Sequence, residues 1–147
     1  MSAWLQKWRA AVDKALNYLS LARKAGLIEL GEEPVGAATR ALKAKLVVVV
    51  SDSGDHTWRR AKSFVAGTDQ VCVRTPYTKD EMGQATGRTS LAIGAFTDPA
   101  MALAFLKALP QPPQDAVEML QAKTQKQKQL KKEAQAHKKN VRFGKKK

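Results

Sequence analysis

Apolar residues at the start of the chain recur every three or four positions, the spacing of one face of an α-helix. This stripe covers residues 3–25, and its members are Trp4, Trp8, Val12, Ala15, Leu16, Leu19 and Ala22. We predict a break near Asn17, giving two helices, and an end at Gly26, because glycine is favoured at the C-terminal cap. The two tryptophans are interpreted as packing on the domain, with an interfacial membrane anchor as the alternative.

From residue 26 to residue 50 the helical spacing gives way to short apolar runs. Residues 27–30 predict a short strand, and Gly31 supplies the backbone freedom that a strand-to-helix turn needs. The Glu-Glu-Pro sequence at 32–34 predicts a helix start, because carboxylates and proline are favoured in the first turn. The run of apolar residues at 46–50 is typical of a strand that helices cover on both faces.

The pattern then predicts three more helices and two more strands before the prolines that begin at Pro110. Strands are expected at residues 71–73 and 91–96, and helices at about 55–66, 79–85 and 100–109. The predicted helix-start residues are Ser53 or Asp55, then Thr78 with Glu81 as a capping box, and Asp98 with Pro99.

Helices that alternate with four short strands predict an α/β fold, an α/β/α sandwich. We place a domain at residues 1–110 and a tail at 111–147. The tail is expected to be flexible or partly helical, since its apolar residues beyond Lys123 are too few to pack on a core.

The net charge of +13 is concentrated in that tail. Residues 121–147 contain eleven lysines and arginines against the single acid Glu133, whereas the first 120 residues are nearly balanced. Such a tail attracts polyanions, chiefly RNA or DNA. The alternative is a tail that only aids solubility.

The lone cysteine, Cys72, lies in an apolar strand pattern and excludes a disulfide within the chain, so a reducing cytoplasm is expected. We interpret it as a buried packing residue. The sequence shows neither a signal peptide nor an apolar run of membrane-spanning length, and no membrane association is expected.

Candidate catalytic groups are few. Asp52, Asp55 and His56 crowd one turn and have the chemistry for a metal or an acid–base pair, but a strand-end turn with a helix cap requires the same residue types. His137 lies in the lysine-rich tail, and the common phosphate-loop, zinc and dinucleotide motifs are absent. The sequence therefore predicts no enzyme, metal or cofactor.

Two glycine turns, at residues 31–33 and 87–91, are better candidates for function. A helix N-terminus offers free N–H groups to a nucleic-acid backbone, and a carboxylate such as Glu33 accepts hydrogen bonds from donor edges of bases. The alternative is that the acids only stabilise the helix start.

The run LSLARKAGLIELGEEPVGAATRALKAKLVVVVSD, with DEMGQATGRTSLAIGAFTD further on, resembles the ribosomal protein L-seven-Ae family, above all its YlxQ-like bacterial branch. The resemblance covers residues 16–109. It implies a three-layer α/β/α sandwich with a small mixed four-stranded sheet and non-catalytic binding of kink-turn RNA, in ribosomal or other structured RNA, with the ribosome as a further expected partner. The RNA-binding residues expected on this basis are Lys24, Gly31, Glu32, Glu33, Arg40, Lys43, Gly87, Arg88, Thr89, Ser90 and Leu91.

Three positions depart from the family's pattern. Glu33 and Pro34 stand where a kink-turn binder has Asn and Glu, and Ala37 stands where a Lys is usual. Since a good base contact contributes about 1–3 kcal/mol, weaker kink-turn binding is expected. Two other functions remain open: a protein-interaction module that docks through the Trp4/Trp8 helix, and an accessory subunit of an RNA-modifying enzyme.

Overall fold

The computed structural model describes the backbone of residues 3–110 and 112–143 and the side chains of residues 14–110 and 112–137. The elements in chain order are α1 (Ala3–Ala25), β1 (Ile28–Leu30), α2 (Glu32–Arg40), β2 (Leu46–Val49), α3 (Asp55–Val65), β3 (Val71–Arg74), α4 (Lys79–Ala85), β4 (Ile93–Phe96), α5 (Pro99–Ala108) and α6 (Gln114–Phe143). This order confirms the predicted α/β class.

The four strands form one mixed sheet in the order β1-β4-β2-β3. β2 and β3 run parallel, with Leu46 opposite Val71, while β4 runs antiparallel to both of its neighbours, β1 and β2. All four residues of β2 are buried, as the unbroken apolar run predicted. The last strand along the chain therefore lies inside the sheet, between the first two.

Alternating strand residues divide the core into two clusters, one on each face of the sheet. On one face, residues such as Val48 and Phe96 pack against α1, α4, α5 and the start of α6. On the other face, Val47 and Val49 pack against α2 and α3. Helices therefore cover both faces, and the fold is the three-layer α/β/α sandwich.

Two of the sequence-based expectations about helix ends were wrong. α1 runs unbroken through Asn17, whose side chain is exposed, while Ala15 and Leu19 on either side are fully buried. Burial of that stripe outweighs the weak helix propensity of one asparagine, a fraction of a kcal/mol. The N-cap of α3 is Gly54, without a side-chain cap, so neither Ser53 nor Asp55 caps it.

Other local predictions are confirmed. Thr78 and Glu81 form the capping box of α4, with the Glu81 N–H 3.1 Å from the Thr78 hydroxyl oxygen. Asp98 caps α5, accepting a hydrogen bond of 2.9 Å from the Met101 N–H. Each of these contacts links residues three apart, which is why the local sequence was sufficient to predict them.

α6 begins at Gln114 and continues as helix to Phe143, in the tail that was expected to be flexible or partly helical. Its first turns belong to the core: Leu120 is fully buried and Val117 nearly so. Burial ends at Thr124, and the described side chains from Lys128 to His137 are exposed. The side chains of Trp4, Trp8 and Val12 lie outside the described residues, and the division of the chain at residue 110 stays a prediction.

Candidate nucleic-acid interface

The two glycine turns named from the sequence lie side by side at one end of the sheet. β1 leads into the turn at Gly31, and the turn after α4 leads into β4, which pairs with β1. The Gly31 N–H donates to the Ile93 carbonyl oxygen at 3.0 Å, which joins the first turn to the start of β4, just after the second turn. Their adjacency thus follows from the antiparallel β1–β4 pairing.

A cleft of about 450 Å³ opens between these turns. Its lining residues are Gly31, Glu32, Thr57, Arg88, Thr89, Ser90, Leu91, Ala92 and Ile93, and we call it the turn cleft. The side chains of Arg88, Thr89 and Ser90 are exposed, so the cleft presents a guanidinium and two hydroxyl groups to solvent. These groups can hydrogen-bond phosphate oxygens and sugar hydroxyls.

Gly31 has a backbone conformation that is almost exclusive to glycine, with φ 98° and ψ 161°. It is the N-cap of α2, and no side chain caps that helix. The first N–H groups of an α-helix have no partner within the helix, and Pro34 removes one of them. The N–H groups of Glu32 and Glu33 therefore begin the helix beside the cleft, where the helix dipole favours an anion.

The loop that carries Arg88 is held close against α4. The Arg88 N–H donates to the Gly83 carbonyl oxygen at 2.7 Å, and the Leu91 N–H donates to the Lys79 carbonyl oxygen at 3.0 Å. A Cβ on Gly83 would lie 2.7 Å from the Cα of Ser90, a distance that real Cβ atoms do not reach. Gly83 is therefore required for the loop to keep this position.

Two arginines that were missed in the sequence contribute to the site. Arg23, at the end of α1, places its guanidinium 3.1 Å from where a Cβ on Gly87 would stand. Arg60, on α3, forms an ion pair of 2.6 Å with Glu32. Arg23 is next to the predicted Lys24 within the LARKAG motif, so that motif could have indicated Arg23 as well. The Glu32–Arg60 contact joins two separate helices, so no pattern of neighbouring residues in the sequence could have predicted it.

The pairing with Arg60 changes the role expected for Glu32. Its carboxylate is already bound to a guanidinium, so it does not present an unpaired negative charge to the cleft. Glu33, the next residue, is exposed and forms no ion pair among the described residues. Of the two acids, Glu33 has the unpaired carboxylate, but it stands next to the cleft and does not line it, whereas Glu32 does.

The structure does not bring every expected residue to the cleft. Arg40 is the last residue of α2 and Lys43 follows it, whereas Gly31 is at the other end of that helix, about 13 Å away for nine residues. Lys24 is exposed in the last turn of α1 and does not line the cleft. Gly87 lies in the loop beside it, against Arg23. Whether any of these residues contacts RNA stays a prediction.

Asp52, a candidate metal ligand from the sequence, lies in the described part of the chain. No three or more His, Cys, Asp or Glu residues are grouped there in a way that could hold a metal ion. Asp52 instead accepts a hydrogen bond of 2.9 Å from the Lys79 N–H, at the start of α4. None of the described helices is both long enough and apolar enough to cross a bilayer.

Comparisons with known proteins agree with this architecture. The fold is similar to that of a protein of unknown function from Bacillus halodurans C, with a TM-score of 0.61, 22% identity, and coverage of 67% of this chain and 98% of that one. It is also similar to the Giardia lamblia 15.5kD RNA binding protein, with a TM-score of 0.57, 15% identity, and coverage of 75% and 89%. At these identities the similarity establishes the fold alone.

No family model matches the chain. The RNA-binding protein YlxQ of Enterococcus faecium is 31% identical over 82 residues, which cover 56% of this chain and 79% of that protein. Sequence identity over most of the relative, together with the shared sandwich, assigns the chain: it belongs to the YlxQ-like branch of the L-seven-Ae family.

Proposed function

We propose that this chain is a non-enzymatic RNA-binding protein that recognises a structured RNA at the turn cleft. The observation that carries the proposal is the adjacency of the Gly31 and Arg88 turns, with the two side by side and open to solvent. Helix N–H groups, hydroxyls and a guanidinium then face one ligand. A relative named as an RNA-binding protein supports RNA as that ligand.

A kinked RNA, in which a tight bend presents both backbone and unpaired bases, is the shape this cleft suits best. The backbone would lie against the N-terminus of α2 and the hydroxyls of Thr89 and Ser90. A splayed base would offer its amino group to the exposed Glu33 carboxylate. Arg88 and Arg23 would supply the positive charge that Ala37 cannot, since both guanidinium groups lie beside the turns.

The lysine-rich C-terminal part would add affinity that does not depend on sequence, through phosphates. Exposed lysines there release counterions from RNA on binding, so the logarithm of the affinity falls linearly with the logarithm of the salt concentration. Ribosomal or other structured RNA in the cytoplasm is the natural target class for such a protein.

The proposal is tested by comparing Arg88→Ala with Lys107→Ala, an exposed lysine on α5 that does not line the turn cleft. The measurement is binding of the full chain to an RNA with a kinked internal loop and to its fully paired counterpart. Since a charge-assisted hydrogen bond contributes about 1.5–3 kcal/mol, R88A should weaken binding of the kinked RNA roughly tenfold or more. Equal affinities of R88A and K107A would contradict the proposal.

A further inference from the structure

A second concave surface lies between α6 and the body of the protein, with a volume of about 290 Å³. We call it the α6 groove. The residues that matter for its chemistry are Leu42, Lys45, Asp69, Lys123, Lys126 and Leu130. It contains residues of the globular sandwich as well as of the helix, and none of the residues that line the turn cleft.

The groove and the turn cleft are at opposite ends of the sheet. Lys45 immediately precedes β2, and Asp69 lies just before β3. The turn cleft is at Ile93, the start of β4, which pairs with Val49 at the end of β2. A four-residue strand is about 13 Å long, so with the flanking turns the two surfaces are roughly 15–20 Å apart.

The groove is positively charged. It contains three lysines and one carboxylate, and that carboxylate is already engaged: Lys123 Nζ lies 3.7 Å from an Asp69 side-chain oxygen and donates to the Asp69 carbonyl oxygen at 2.7 Å. Burial lowers the pKa of Lys123, and the nearby Lys45 lowers it further, against the effect of Asp69. No carboxylate of the described residues pairs with Lys45 or Lys126, so their charges are available to an anion.

Two exposed leucines flank these charges. Leu42 is 61% exposed and has a left-handed backbone, with φ 58°, and Leu130 on α6 is 56% exposed. Large apolar side chains this exposed, next to unpaired lysines, fit a ligand that alternates anionic groups with flat apolar faces. A nucleic-acid strand has that character, because its phosphates alternate with bases that pack on apolar side chains.

The helix extends the same charge beyond the groove. Past Thr124, α6 continues through residues 125–143, about 28 Å of helix, and the exposed Lys131 and Lys132 follow Leu130 directly. Lys43 follows Leu42 and Arg40 precedes it by two residues, so both cations, which the family resemblance assigned to the RNA site, are near Leu42 in the chain. The structure thus gives these two cations a location away from the turn cleft.

We propose that the α6 groove is a second RNA-backbone site, so that one RNA bound at the turn cleft extends along the molecule to place a flanking strand between Leu42 and Leu130. This inference rests on the proposed function for RNA as the ligand, but it concerns a different surface. It requires an RNA with a flank long enough to cover the distance between the two sites.

The test compares Lys45→Gln/Lys126→Gln with Lys14→Gln/Lys107→Gln, which removes the same charge from lysines on α1 and α5 that line a different surface. Each is titrated with two kinked RNAs, one trimmed to its internal loop and short stems, the other carrying a single-stranded flank on one stem that is long enough to reach the α6 groove. Only K45Q/K126Q should lose affinity for the long RNA, by about five- to tenfold, and the salt slope should fall by one to two units. Both variants should bind the trimmed RNA equally.

Equal losses in the two double variants on the long RNA would overturn the inference, because net charge alone would then explain them. If R88A still weakens binding in that case, the proposed function survives and only the second site is lost. Should K45Q/K126Q fail to fold, K126Q alone changes an exposed residue and gives the same comparison with K107Q. A photoreactive residue at position 130 should crosslink to the long flank, whereas crosslinking to protein alone would contradict the inference.

Discussion

The guanidinium of Arg88 lies against the backbone of Gly31: its Nη1 is 3.3 Å from the position that a Cβ on Gly31 would take. Each residue belongs to one of the two turns, so this contact joins them at the point where the cleft opens. A side chain on Gly31 would have to displace Arg88 and would also occupy a backbone region that only glycine adopts readily. A Cβ on Gly31 is therefore opposed mainly by the backbone conformation, and the Arg88 guanidinium would also have to move by a few tenths of an ångström.

Gly31→Ser should destabilise the fold and also weaken RNA binding. Serine is a favourable N-cap residue, but the φ and ψ of Gly31 cost a non-glycine residue about 1–3 kcal/mol. The matched control is Gly54→Ser, at the N-cap of α3, where φ is −72° and no atom lies within 4 Å of an added Cβ. In urea, only G31S should have a lower free energy of unfolding. Equal stabilities of G31S and G54S would disprove the strain argument.

Gly83→Ala should lower the stability of the fold, although alanine usually stabilises a helix relative to glycine. Within a helix, alanine is more favourable than glycine by about 1 kcal/mol. Here the new Cβ would meet the backbone of Ser90 and Arg88 at 2.7–2.9 Å, so the Arg88 loop must shift. We expect a lower free energy of unfolding in urea and weaker RNA binding in titrations. The control is Gln84→Ala, at the exposed neighbouring position. A stabilised G83A would show that the loop is free to move.

Substitutions of Glu32 and of Arg60 should change RNA binding in opposite directions. Both side chains are about half exposed, so the pair contributes at most about 1 kcal/mol to stability. Near RNA, however, Arg60→Gln leaves an unpaired carboxylate at the cleft and should weaken binding, whereas Glu32→Gln frees a guanidinium and should strengthen it. Binding titrations at low salt measure both, and E32Q/R60Q should lie between them. If RNA affinity changed in the same direction in both single variants, the Glu32–Arg60 pair would not set the charge at the cleft.

Two truncations of α6 should separate its structural part from its RNA-binding part. Ending the chain after residue 110 removes Ala116, Val117 and Leu120 from the core and should cost several kcal/mol, since a fully buried leucine alone contributes about 1.5–3 kcal/mol. Ending it after residue 130 leaves these contacts in place, so the unfolding temperature should change little while the salt slope of RNA binding falls. Equal stability of the two truncated proteins would contradict the conclusion that the first turns of α6 belong to the core.

Cys72 should react slowly with iodoacetamide in the folded protein. Burial raises the pKa of its thiol to about 12, despite the opposing charge of Lys62, so the reactive thiolate is scarce at neutral pH. The same shift makes the folded state lose stability as pH rises from 9 toward 12, because the unfolded thiol ionises first. Mass spectrometry of alkylated protein, with urea-unfolded protein as control, measures the rate. Labelling as fast as in urea would show that the partial burial of Cys72 does not protect its thiol.

The sequence predicted features that depend on neighbours in the chain. The Thr78–Glu81 capping box, the Asp98 cap and the buried β2 run each follow from adjacent residues, and all were found. The family resemblance further indicated the two turns that form the cleft. The order of the strands, by contrast, came only with the structure, because pairing between distant segments leaves no local pattern.

Several of the errors and omissions arise from tertiary contacts, whereas the wrong cap predicted for α3 is a local error. A break at Asn17 was expected from local preference, but packing of the adjacent stripe keeps α1 continuous. Arg23 against Gly87 and Glu32 with Arg60 are contacts between separate elements, so no spacing could indicate them. Arg40 and Lys43 were assigned to the RNA site because the family resemblance includes the helix after the Gly31 turn, but they lie at the far end of that helix.

The position of β4 in the sheet affects when the protein becomes competent to bind. β1 pairs with β4 and not with β2, so the first strand must wait for residues 93–96 before it has a neighbour in the sheet. During synthesis, a nascent chain that ends at β3 would hold the Gly31 turn without the Arg88 loop beside it. Insertion of the final strand completes the sheet and brings the Arg88 loop beside the Gly31 turn in the same step, so the turn cleft forms only when β4 is in place.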